Sequence, residues 1–216
     1  MSLDDTGSGQ EDQVPPLRQL TDARTLRALA HPVRIAIVEE LSLGGPMTAT
    51  QIGERIGETP TTCSFHLRQL ARYGFVEDAG GGKGRARPWR MTSIGYSVSS
   101  THDNPETQVA ANALARLVRE RQIDRYRGWQ ATQSSYPREW RDAAGDSEFV
   151  FYLTARELKE LNDELLAFIR PRFLERLTDP SQRPPGAVPV EMVMFSYPIE
   201  LPPAEGDAQP GPGRES

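Results

Sequence analysis

Between Thr59 and Arg72 the chain carries small hydroxyls, an aromatic ring and two guanidinium groups at intervals that bring them to one side of a helix. Advancing about 100° per residue from Cys63, Leu67 and Leu70 fall on the cysteine's side, and Thr61, Ser64, Phe65, Arg68 and Arg72 cluster opposite. Short hydroxyls let a backbone approach the bases in a major groove about 12 Å wide. Arginine reaches phosphate or guanine, and a phenyl ring can lie on a thymine methyl. Thr59, Thr62 and His66 border this face and complete the candidate DNA-binding set on the helix. His66 lies nearest the packed edge, where reaching a phosphate and packing against the domain are both open to it. A solvated face of any amphipathic helix carries similar residues, so the assignment depends on the segments that flank it.

Immediately C-terminal to this helix stand Gly74-Phe75-Val76-Glu77-Asp78-Ala79, a glycine-rich turn over residues 80–84, and Arg85-Ala86-Arg87-Pro88-Trp89-Arg90-Met91. This pattern predicts a hairpin whose tip presents Lys83, Arg85 and Arg87 to a sugar-phosphate backbone or minor groove. Such contacts carry affinity that falls with salt. A glycine tract with a lysine also suggests a phosphate-cradling loop, but no Ser or Thr follows Lys83, and a strand rather than a helix comes next.

These groups need a scaffold, and the preceding residues predict one. Thr21–Ala30 is periodic and ends at His31-Pro32, where His31 is expected to help stop the helix. A second helix runs over Pro32–Leu41, and Gly44-Gly45-Pro46 breaks the chain. Thr48-Ala49-Thr50-Gln51 fits a capping box that opens a third helix to Ile56, with Gly57 as its stop. Thr59 as N-cap and Pro60 at the first helical position start the fourth. Two helices joined by so short a turn form a helix-turn-helix, and the hairpin adds a wing.

The net charge of −5 is unevenly spread. Residues 17–100 hold 11 Lys and Arg against 7 Asp and Glu, and the remainder holds 14 against 23. A basic module fused to an acidic one is the implied organisation. The expected boundaries are a polar tail over 1–16, a winged helix-turn-helix over 17–100, a linker helix with an α+β module over 104–201, and a second tail over 202–216. The lone Cys63 cannot form an intramolecular disulfide and sits on the packed face, where a small apolar residue is expected. No apolar run approaches the roughly 20 residues that span a bilayer, and the N-terminus lacks a signal peptide's apolar core. A cytoplasmic protein with no membrane contact is expected.

Leu29-Ala30-His31-Pro32-Val33-Arg34-Ile35-Ala36-Ile37, then Thr62-Cys63-Ser64-Phe65-His66-Leu67-Arg68-Gln69-Leu70 and Gly74-Phe75-Val76, together resemble the ArsR-like (ArsR/SmtB-type) winged-helix regulators. The likeness covers about Leu17–Ser97. It implies a homodimer that docks two recognition helices on a palindromic or near-palindromic operator, usually as a repressor released by a signal. It also places base contacts at Thr61, Ser64 and Phe65. Pro60 stands where relatives often have a polar residue. The metal sensing common in the family finds no support here. The third helix, residues 49–55, has no cysteine, and Arg119–Arg127 offers Glu120 and Asp124 but no histidine. No metal and no cofactor are expected.

Past the wing, Glu106–Trp129 reads as a long helix with an apolar stripe of Val109, Ala110, Ala113, Leu114, Leu117 and Val118. Val109, Ala113, Leu114 and Leu117 are the candidate dimer contacts, the alternative being packing within the chain. Glu148–Leu153 alternates like a strand. Thr154-Ala155-Arg156-Glu157 caps a helix to about Leu177, with Leu158, Leu161, Leu165, Phe168, Ile169, Phe173 and Leu177 at helical spacing, and Val190–Tyr197 reads as a second strand. The expected fold class is α+β: a winged helix-turn-helix, a long dimerisation helix and a small β-α-β module.

That module shows no nucleophile with a base, no paired acids and no phosphate loop, so no enzyme is expected. The aromatics in it and just before it, Tyr126, Trp129, Tyr136, Trp140, Phe149, Phe151, Tyr152 and Phe195, with Met192 and Met194, either line a pocket for an apolar small-molecule effector or form core and dimer interface. The function these features support is sequence-specific binding of double-stranded DNA. The alternative is a winged-helix module for protein–protein contact.

Overall fold

The computed structural model describes residues 17–81 and 87–201, leaving out the side chains of residues 170, 172, 173, 175 and 178. Both expected tails, Lys83 and Arg85 at the wing tip, and the Phe173 side chain lie outside the described residues.

A short strand β1 (Arg18–Leu20) leads to α1 (Ala23–Leu29), whose first turn is capped by Asp22 accepting from the Thr25 amide at 2.9 Å. The Asp22 carboxyl is held below its usual range by those hydrogen bonds from Thr25. His31 acts on the helix it precedes: its Nδ1 accepts from the Val33 amide at 3.2 Å, capping α2 (Pro32–Gly44). The apolar face of α2 buries Ile35, Ile37, Val38 and Leu41. A two-residue strand β2 (Met47–Thr48) precedes α3 (Ala49–Ile56), which opens on the reciprocal Thr48–Gln51 capping box and closes on Gly57 at φ 73°.

The turn into α4 (Pro60–Arg72) is tight. A Cβ on Gly53 would stand 2.5 Å from the Glu58 carbonyl oxygen, so only glycine lets α3 come this close to the turn. Thr59 caps α4, accepting from the Thr62 amide at 3.1 Å.

The wing strands β3 (Val76–Asp78) and β4 (Pro88–Met91) pair antiparallel, and β2 joins the other edge of β4. Gly80 and Gly81 leave β3 at φ 75° and 76°, backbone that glycine adopts without strain. A further strand β5 (Tyr96–Val98) runs parallel to β1. Burial pushes the Tyr96 hydroxyl up to about 12, and its ring meets Phe75 edge-on at 6.4 Å.

The long α5 (Pro105–Thr132) starts at Asn104, whose side chain accepts from the Glu106 and Thr107 amides. It crosses back over α1, adding Ala110, Ala111 and Leu114 to a core that contains Leu26, Leu29, Ile37, Ile52, Leu67, Leu70 and Phe75. Each buried leucine or phenylalanine is worth about 1.5–3 kcal/mol of transfer free energy. The dimer stripe expected on α5 is therefore divided: Leu114 is buried in its own chain and Leu117 packs against the same core, whereas Val109 and Ala113 face outward.

Beyond α5 come α6 (Arg138–Ala143) and α7 (Ala155–Thr178), the latter opened by reciprocal bonds between Thr154 and Glu157. The expected β-α-β module is not formed. Residues 144–154 and 187–198 run without regular structure, so Glu148–Leu153 and Val190–Tyr197 are not strands of one sheet in this chain. A strand needs a neighbour to take its backbone hydrogen bonds, and among the described residues no ladder joins either segment to another strand. The nearby aromatics do not form a core either. Tyr126, Tyr136, Phe149, Phe151, Tyr152 and Phe195 are all exposed.

Candidate nucleic-acid interface

The face of α4 turned away from the core carries Thr61, Phe65, Arg68 and Arg72 exposed and Ser64 half-buried. Phe65 leaves 51% of its surface in water, so its ring is free to lie against a base edge. The opposite face buries Cys63, Leu67 and Leu70 completely. The helix is thus pinned along one side and capped at its start, so the outward groups are presented from a rigid support.

Thr59 and Thr62 use their hydroxyls locally. Their Oγ1 atoms are 2.9 Å apart, and Thr59 also holds the Thr62 amide. His66 is buried, 7% exposed, beneath the outward face of α4 rather than on it. Its ring packs on His31 at 4.6 Å and takes the edge of Phe65 at 5.2 Å, which makes it a support for Phe65. Burial, then the neighbouring His31 and Arg34, lowers the His66 pKa, and burial likewise lowers that of His31. Burial raises the Cys63 thiol, keeping it protonated and poorly nucleophilic.

At the base of the wing Arg87 is largely exposed and pairs with Asp78 at 3.4 Å, while Arg90 pairs with Glu77 across the same two strands. These acids offset part of the wing's positive charge.

The structure adds three arginines that sequence reasoning treats only as scaffold. Arg24 and Arg27 of α1 and Arg34 of α2 line a hollow of about 280 Å³ with Gln69 of α4 and Tyr73 just after it. Gln69 lies one step round the helix from Phe65 and Arg72, so the hollow adjoins the outward face of α4. Arg34 donates from Nη2 to the Arg27 carbonyl at 3.1 Å, and Arg27 meets Glu106 at 2.6 Å. Burial lowers the Arg34 pKa. A spacing of three residues between Arg24 and Arg27 marks a shared helix face, but nothing local tells that α2 and α4 close around it.

This arrangement can hold anions along one flank of a helix whose end is capped and whose exposed side offers hydroxyl, aromatic and guanidinium groups. It is the chemistry of a duplex reader. Residues 29–79, from the end of α1 to the first wing strand, match the family profile of a helix-turn-helix domain. That match supports a DNA-binding helix-turn-helix regulator. No curated protein matches it. Among the described residues there is no cluster of three or more His, Cys, Asp and Glu able to hold a metal ion, and no helix long and apolar enough to cross a membrane.

Proposed function

We propose that the protein is a homodimeric transcriptional repressor of the ArsR-like type, controlled by something other than a bound metal. Each subunit lays α4 in a major groove of a near-palindromic operator. Thr61, Ser64 and Phe65 meet base edges, Arg68 and Arg72 meet guanine or phosphate, and the wing residues Lys83, Arg85 and Arg87 track the backbone. The three-arginine hollow beside Gln69 adds a phosphate grip on the flank. Thr59 shapes the site as a cap, and His66 supports Phe65 from below. Val109 and Ala113 are the α5 positions free to meet a second subunit.

The observation that carries this reading is the exposed Phe65 between Thr61, Arg68 and Arg72 on a helix whose other face is fully buried. Pairing of Arg87 and Arg90 with Asp78 and Glu77 favours the second reading, a winged helix that binds protein, because it leaves the strands of the wing nearly neutral.

Titration of the protein's own promoter fragments against random duplex at several salt concentrations separates the two. Preference for one fragment of at least about a thousandfold is expected of an operator binder. Removing a phosphate contact with Arg34→Ala should weaken binding to every sequence and lower the salt slope by about one. Arg68→Ala should cost about 1–3 kcal/mol and relax discrimination at one base pair if it reads guanine. Equal, weak binding to all fragments, unmoved by Arg85→Ala with Arg87→Ala, would discard the regulator reading.

A further inference from the structure

We propose that residues 148–153 and 190–197 are strands of a sheet completed by a second copy of this chain, so that the dimer is closed at its C-terminal end by strands from both subunits. The proposal rests on the homodimer reading and specifies where the second copy sits.

Both segments have strand composition. Phe149-Val150-Phe151-Tyr152-Leu153 and Val190-Glu191-Met192-Val193-Met194-Phe195 are aromatic, β-branched or flexible apolar residues with one charge between them. Their side chains stand in water: Phe149 is 72% exposed, Tyr152 103%, and Val190 and Met192 73% each. No amide or carbonyl of either segment takes part in a backbone hydrogen bond among the described residues. An open strand edge of this kind is a template for pairing with another chain.

The segments are nevertheless held at definite places. Arg125 of α5 donates from Nε to Glu191 at 3.0 Å and also pairs with Glu39 of α2. Arg119 of α5 lies 5.8 Å from the centre of the Phe195 ring, and Ser196 meets Asn162 of α7 at 3.1 Å. At the other segment's start, the Tyr126 hydroxyl donates to Asp146. The polar groups are thus used to fasten the segments to α5 and α7, and the apolar ones are left open.

The surface area points to a large occupant. The chain exposes 17158 Å², where a folded monomer of 24.0 kDa should expose about 10,000 Å². If every undescribed residue is granted the area of a fully extended chain, the surplus is still roughly 2,500 Å². That is one partner's share of a large obligate dimer.

A second copy is the occupant that fits. Glu148 and Glu191 are the only charges in the two segments, so there is no charge pattern to select a foreign protein. Two open segments per subunit, related by a two-fold axis, can pair with themselves and leave fewer open edges. The 190–197 segment is also bonded to α5, the helix whose outward Val109 and Ala113 already face a partner in the homodimer reading.

Sedimentation velocity of the full chain, combined with amide hydrogen exchange, tests this. A particle of twice the chain mass is expected at micromolar concentration, with the amides of 149–153 and 190–197 exchanging at least about tenfold more slowly than after dilution to monomer. Phe149→Asp with Phe151→Asp, and separately Val190→Asp with Met192→Asp, should yield monomer while the α4 amides stay protected. If the wild type is a dimer whose two segments exchange at open-chain rates, the sheet proposal falls and the homodimer stands. If protection survives dilution to monomer, the strands pair within one chain and the proposal is likewise overturned. A wild type that is monomeric throughout removes the sheet and the homodimer together, whereas operator binding is read independently on the same samples.

Discussion

Residues 18–98 and residues 144–201 meet the same demand by different means. In the first region, four short helices and five short strands turn their apolar residues inward: Leu26, Leu29, Ile37, Ile52, Cys63, Leu67 and Leu70 leave no surface to solvent. Every helix start there has a side-chain cap, from Asp22, His31, Thr48 and Thr59 in turn. In the second region, α7 is equally well capped by Thr154, yet the apolar residues before and after it remain in water. Local signals are satisfied in both. What separates them is that one chain suffices to cover the apolar surface of the first region and not of the second.

The sharpest way to break this contrast is to remove a side chain from each. Leu67→Ala opens a cavity in a fully buried site and should cost about 2–5 kcal/mol in denaturant unfolding, a large share of a small domain's stability. Tyr152→Ser removes a larger side chain from a fully exposed site and should shift the same transition by no more than about 0.5 kcal/mol when measured on dilute monomer. Comparable costs for the two would mean that the C-terminal segments are already packed within a single chain.

Gly53→Ala tests the tightness of the first region at its most constrained point. The new methyl would lie 2.5 Å from the Glu58 carbonyl oxygen, a backbone atom that cannot move without displacing Thr59 and the start of α4. Overpacking of this kind costs about 1–3 kcal/mol. A matched Gly145→Ala, where nothing lies within 4 Å, should be nearly silent in thermal unfolding. Because Gly53 supports the entry to the reading helix, operator affinity should fall with stability. Unchanged affinity would show that α4 is positioned by Leu67 and Leu70 alone.

The first region is legible in the sequence because its determinants are local. The Thr48–Gln51 box, the Thr59-Pro60 start, the Gly57 stop and the spacing of Cys63, Leu67 and Leu70 each lie within a few residues of what they determine, and together they define the reading face. The β1–β5 pair is not visible there, since Arg18–Leu20 and Tyr96–Val98 are brought together only by the helices between them. The three-arginine hollow and the inward turn of Leu114 share that cause: each needs the crossing of α5 over α1 or of α2 beside α4. For Glu148–Leu153 and Val190–Tyr197 the composition announces strands, but the ladder partner that would make them strands lies at no fixed distance along this chain.

The smallest expected effect is a pH dependence confined to the first region. His66 and His31 both have pKa values lowered by burial and by the Arg34 charge, with Glu58 the one acid opposing the shift. A histidine whose folded pKa lies below its unfolded value near 6.5 binds fewer protons folded than unfolded between those two values, so stability rises with pH across that interval. The contribution is complete above 6.5 and is lost as the pH falls through 6.5 toward the lowered folded value. The unfolding midpoint of the wild type should therefore drop between about pH 7.5 and 5.5, and His66→Gln should flatten that slope even if it lowers the midpoint throughout. The C-terminal region has no histidine, so exchange of its amides in the proposed dimer should not trace the same curve. Since the His66 ring meets the edge of Phe65, operator binding should weaken over the same interval in the wild type and not in the variant. A midpoint that stays level or rises on acidification would mean that the histidine pair is protonated in the folded chain, and with it the support beneath Phe65 would have to be redrawn.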